Sequence, residues 1–172
     1  MPSSFVDSVP PIMKLIIDHN PSSVLDVGPG WGKYGLMCRE YLSELKTLDA
    51  VEIPPGRMAM QDHIYDQVII ADVLTRPSDW KYDLIMIIDV IEHMDKVEGQ
   101  ALVGEMLSAG ASVLISTPKV FIEQHDEHNP YETHVSLWDW TDLWFAAAPN
   151  VNIIDGSTID SMISLITPEL EN

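Results

Sequence analysis

The 172-residue chain contains a single cysteine, Cys38, which excludes an internal disulfide and a thiolate metal cluster. Its place among apolar residues on a helix-compatible stretch reads as a packed core thiol rather than a nucleophile. Basic residues are also scarce. Nine Lys and Arg stand against 27 Asp and Glu, a formal charge of −18, and none follows Lys119. A surface of that sign repels phosphate backbones, so nucleic acid and anionic membranes are disfavoured as partners, and a small or cationic substrate is easier to accommodate. No apolar run approaches the roughly 20 residues of a spanning helix. The start, Met1-Pro2-Ser3-Ser4, has neither the basic region nor the apolar core of a secretion signal, and a cytoplasmic protein is expected. Internal repeats, linkers and low-complexity tracts are missing too. The length then suits one domain over residues 1–172, with its core in residues 9–167.

What is present is organised around a glycine turn. The apolar run 24–27 reads as a buried strand that stops at Gly28, Gly30 and Gly32, before a helix-compatible segment, 33–45. Glycine lets a ligand approach the main chain, and the helix that follows offers unpaired N–H groups, so this is a nucleotide-binding turn. The dinucleotide fingerprint wants its third glycine at position 33, where Lys33 stands between Gly32 and Gly35, so a nicotinamide cofactor is disfavoured.

The rest of the chain alternates strands and helices. Residues 9–19 carry an amphipathic helical pattern, with Ile12, Leu15 and Ile16 apolar. Residues 47–53 read as a second strand, stopped by Pro54-Pro55, 56–63 as a helix, and 67–71 as a third strand running into Asp72-Val73. Residues 82–89 form the most apolar strand, expected at the centre of the sheet and buried on both faces. A helix over 96–107 and a strand over 111–117, broken by Pro118, follow. The polar segment 119–138 carries His125, His128 and His134 and is long enough to cover a site. A helix over 138–147 places Trp140 and Trp144 four apart, in core or interface, and strands 151–155 and 158–166 are joined through Asp155-Gly156-Ser157 as a hairpin. Glu52, 20 residues after Gly32 at the tip of the second strand, is placed to accept two hydrogen bonds from ribose hydroxyls, the alternative being a solvated strand end.

The spacing Asp26-x-Gly28-x-Gly30-x-Gly32 resembles the first motif of the class I S-adenosylmethionine (SAM)-dependent methyltransferases. The resemblance implies an α/β, three-layer Rossmann-like domain with a mostly parallel seven-stranded sheet, its last strand inserted antiparallel between the fifth and sixth. It also implies SAM as cofactor, bound by Asp26, Gly28, Gly30, Gly32 and Glu52, with Ile53 on one adenine face and Asp72 and Val73 at the adenine edge. Asp72 could instead cap the next turn. The run Asp89-Val90-Ile91-Glu92-His93-Met94 resembles the family's fourth motif, which places Asp89, Glu92 and His93 near the reacting methyl.

Residues 129–138 resemble the loop after the fifth strand in methyltransferases acting on sugars and other small hydroxylated metabolites. The activity implied is O-methylation, less readily N-methylation, of such a small-molecule acceptor, with His93 and His134 as base or positioning groups. Asp89, Glu92, His93 and a loop histidine also resemble the metal set of small-RNA 3′-terminal 2′-O-methyltransferases. That offers Glu92, His93 and His134 as ligands for Mg²⁺ or Mn²⁺ on a ribose diol, although Asp89 departs from the pattern and the acidity disfavours RNA. A catalytically silent cofactor-binding module in a complex is the rival from another class, and a homo-oligomer is left open.

Overall fold

The computed structural model describes residues 4–54, 63–75, 80–124, 129–146 and 151–169. Seven strands form one sheet: β1 (Ser23–Val27), β2 (Thr47–Glu52), β3 (Gln67–Ile70), β4 (Leu84–Ile88), β5 (Ser112–Pro118), β6 (Val151–Asp155) and β7 (Ser161–Pro168). Their order is β3-β2-β1-β4-β5-β7-β6. The pairs from β3 through β5 are parallel, and β7 runs antiparallel to both β5 and β6. This is the topology the resemblance implies.

Period-two alternation assigns the faces. Along β4, Leu84, Met86 and Ile88 join one apolar cluster and Ile85 and Ile87 the other. The first cluster packs under α1 (Val9–His19) and α2 (Lys33–Tyr41), through Ile12, Ile16 and Cys38. The second packs under α3 (Lys96–Ser108) and α4 (Trp140–Ala146), through Leu102, Met106 and Leu143. Helices thus cover both faces of a mostly parallel sheet, in three layers. Cys38 is fully buried and its thiol is pushed up to about 12 by desolvation, as a core thiol should be. No helix among the described residues is long and apolar enough to cross a membrane.

The boundaries shift for identifiable reasons. Helix α2 ends at Tyr41, four residues early, because Leu42 turns extended (φ −99°, ψ 101°). The central strand starts at Leu84 rather than at residue 82, because the Asp83 carboxylate turns back to accept the backbone N–H groups of Ser22 and Ser23 at 2.8 and 3.1 Å. Pro118 closes β5 within the ladder opposite Ser161 instead of breaking it. Trp138 precedes α4 and is buried, donating Nε1–H to the Ile91 carbonyl at 3.0 Å. Trp144 is 70% exposed and Trp140 packs partly against the core. The helix expected over 56–63 falls, apart from His63 in a turn, outside the described residues.

Candidate active site

The carboxyl ends of β1, β2 and β4 open into a cleft of about 460 Å³. A parallel sheet places ligands there, at the point where strand order reverses. Gly28 continues the β1 ladder with its N–H on the Val51 carbonyl (2.9 Å), at φ +64°. A Cβ at that position would stand 2.6 Å from Val90 Cγ2, so only glycine keeps the turn open beside β4. Gly28, Gly30, Glu52, Ile53, Asp72, Val73 and Asp89 all line the cleft. Asp72 makes the turn cap that was the alternative for it, Oδ1 accepting the Leu74 N–H at 2.9 Å, and the residue also lines the cleft. Asp89 leaves β4 at φ +53°, a conformation costly for a non-glycine residue, with its N–H on the Ser116 carbonyl.

Asp26 and Gly32 are placed differently: neither is among the cleft-lining residues. Asp26 is buried beneath the turn and accepts the Tyr65 hydroxyl at 2.6 Å. Desolvation pushes its carboxyl up to about 7, against the Tyr65 bond, with Glu52 adding to the rise. The Tyr65 oxygen also takes the Gly35 N–H in the first turn of α2, a helix whose N-cap, Gly32, supplies no side-chain cap. Arg39 holds this neighbourhood, donating Nε to the Ile64 carbonyl (2.9 Å) and Nη2 to Asp66 (2.7 Å). Tyr65 carried no motif in the sequence. The same holds for Ser4, whose hydroxyl accepts Lys33 Nζ (3.1 Å) and Tyr34 Oη (2.9 Å) and bonds Asp89.

The other half of the cleft is built by a 3-10 turn, Ile91–His93, and the segment after β5. Val135 and Ser136 donate their N–H groups to the Glu92 carbonyl at 2.9 and 3.1 Å, docking that segment on the turn. His93 Nδ1 lies 3.0 Å from the Thr133 carbonyl, and its ring meets His134 edge-on at 4.7 Å. Burial lowers the His93 pKa, and His134 adds to the effect. Glu92 is 3% exposed, and its Oε2 has no hydrogen-bond partner. Burial and then Asp89 push its carboxyl up to about 8, with its own backbone N–H opposing. Glu92, His93 and His134 each offer a ligand atom within 4.8 Å of the others; Asp89 is not in that group. His125 and His128 lie outside the described residues.

A family profile described as a methyltransferase domain matches residues 7–162. The chain belongs to the class I SAM-dependent methyltransferases. Among solved structures it is similar to the human N-acetylserotonin methyltransferase in complex with SAM, at 12% identity and TM-score 0.68, covering 96% of this chain and 52% of that one. An O-methyltransferase family protein from Burkholderia thailandensis gives 15% identity, TM-score 0.71, and coverage of 95% and 56%. The methyltransferase domain of bacterial CtHen1-C gives 16%, 0.68, and coverage of 95% and 98%. The chain thus spans about half the length of the first two and nearly all of the third. No curated protein matches it in sequence.

Proposed function

We propose that this chain moves a methyl group from SAM to a hydroxyl oxygen of a small hydroxylated metabolite, of which a sugar is the representative class. The observation that carries the reading is one cleft with the glycine turn and Glu52 at one end and the His93–His134 pair at the other. Its volume falls in the small-molecule range. Glu52 at the tip of β2, the bare backbone at Gly28 and Gly30, and the apolar Ile53 and Val73 fit a nucleoside.

SAM supplies a methyl group on a sulfonium, whose transfer relieves a positive charge, so alignment of the acceptor is the main demand. The Thr133 carbonyl can only accept, which fixes the proton of a neutral His93 on Nδ1 and leaves Nε2 with a free lone pair. Burial keeps that imidazole neutral near physiological pH. His93 is thus the base that takes the acceptor's proton as its oxygen bonds to the methyl carbon, and His134, edge-on to it, orients the hydroxyl. Ile122, Gln124, Asn129, Tyr131, Glu132 and His134 of the segment after β5 line the cleft, which supports an enzyme over a silent module.

Replacing Glu52 by Ala is expected to weaken S-adenosylhomocysteine (SAH) binding by roughly 1.5–3 kcal/mol, the range for a hydrogen bond to a charged group. Isothermal titration measures it, and unchanged affinity in a folded variant removes the ribose assignment.

The convergence of Glu92, His93 and His134 supports a second reading, a divalent metal that makes a vicinal diol more acidic. Glu92, His93 and His134 would hold Mg²⁺ or Mn²⁺, and the unpartnered Glu92 oxygen fits that role. EDTA distinguishes the two: it leaves turnover intact if His93 is the base and abolishes it if a metal is required. In the second case Mn²⁺ gives a binding heat that His134→Ala loses.

A further inference from the structure

The half of the cleft that faces the acceptor is one-signed. Asp89, Glu92, Asp95, Glu98 and Glu132 line it, and no lysine or arginine does among the described residues. Among the described residues, three lysines on elements beside the cleft have partners of their own. Lys96 pairs with Asp142 at 2.7 Å, Lys119 donates to the Thr158 carbonyl, and Lys33 sits behind Asp89 on the Ser4 hydroxyl. Acidic rims are common on a chain of charge −18 and say little alone. Glu92 is different, because it is 97% removed from solvent, lines the cleft, and has an oxygen with no partner. A buried carboxylate oxygen without a donor costs free energy unless a ligand supplies one. Asp95 is already committed in part, since Oδ1 caps α3 through the Val97 N–H at 2.9 Å. Glu98 in the first turn of α3 and Glu132 beside His93 are the remaining rim carboxylates.

We propose that the acceptor is an amino alcohol or amino sugar whose ammonium is held by Glu92, Glu98 and Glu132, while a neighbouring hydroxyl is presented to His93. This rests on the first reading above, in which side chains bind the acceptor directly. The carboxylates stabilise the protonated amine, which removes its lone pair from competition, so the amine is a handle and oxygen remains the methylated atom. An anionic acceptor would meet the same carboxylates as repulsion, and a neutral polyol would leave Glu92 without a charged donor.

The test uses SAH-saturated protein in EDTA, titrated calorimetrically with two matched pairs: serinol against glycerol, and glucosamine against N-acetylglucosamine. Each amine is expected to bind at least about tenfold more tightly than its neutral partner, with the gap narrowing as salt rises. In a Glu98→Gln/Glu132→Gln variant the ratio should fall to about threefold or less with SAH affinity retained. Equal or tighter binding of the neutral partners, no measurable binding of either amine, or amine binding that requires added Mn²⁺ overturns the proposal. Failure of SAH itself to bind a folded protein is a separate result, and sinks the methyltransferase reading instead.

Discussion

Glu92→Gln is expected to raise the unfolding free energy at about pH 8 by about 2–4 kcal/mol, with little change at about pH 4.5. The carboxyl is almost wholly buried, and desolvation followed by Asp89 lifts it from 4.5 to about 8 in the folded protein. In the unfolded chain it ionises at its ordinary value, so between those two values the native state binds the extra proton. Stability therefore falls as pH rises through this window, and the full penalty is present above the folded value. That rise corresponds to roughly 4–5 kcal/mol. Gln is neutral throughout and close in shape, and it gives back about 1 kcal/mol if its amide lacks a full set of partners. Urea unfolding at both pH values measures the difference, and an equal effect at the two would place Glu92 in contact with water. The same variant is expected to bind the acceptor about 1.5–3 kcal/mol more weakly, because it loses a charge-assisted hydrogen bond. A side chain that destabilises the empty protein and strengthens ligand binding is the signature of a site rather than a core position.

That most of the residues assigned to the cofactor share one cleft was legible because each lies near a strand end. Gly28, Gly30, Glu52, Asp72, Val73 and Asp89 each lie at a strand's carboxyl end or within three residues of it, and strand ends follow from apolar runs of period two or none. The strand order came with the family resemblance, with which the strand count and the closing hairpin agreed. Asp26 belonged to the right motif yet points beneath the turn, because burial side is set by which neighbours fill the space, here Tyr65. No spacing rule links residues 26 and 65, which meet only after β2 and β3 pair. Trp138 shows the same limit. Helical periodicity assigned it to the helix, whereas its indole proton finds the Ile91 carbonyl and pins the segment ahead of α4. The acidic half of the cleft was visible only as a net charge, since Asp95 and Glu98 at the start of α3 meet Glu132 only once the fold brings the segment after β5 to the same cleft.

Tyr65→Phe is expected to destabilise the protein by about 3–4 kcal/mol at about pH 8, and by about 1 kcal/mol at about pH 5, and to weaken SAH binding along with it. Two bonds disappear with the hydroxyl. Asp26 loses its 2.6 Å donor inside the protein, and the Gly35 N–H loses its acceptor at the start of α2. The cost depends on pH because Asp26 already sits near 7 with that donor in place, and it rises further without it. At about pH 5 the Asp26 carboxyl is protonated in either protein and the missing bond is one between neutral groups. At about pH 8 the native state must either keep an uncompensated buried carboxylate or hold a proton against the solvent. Space is no obstacle, since Phe fills the volume that the ring already occupies against Gly35. The turn that carries Gly28 and Gly30 rests on this pair, so SAH affinity should follow stability rather than drop independently of it. Urea titration at the two pH values, repeated in Asp26→Asn and in Asp26→Asn/Tyr65→Phe, completes the cycle. Removal of the carboxylate charge in the double variant should recover most of the loss at about pH 8, and a cost in Tyr65→Phe that does not change with pH would show that Asp26 is not what the hydroxyl holds.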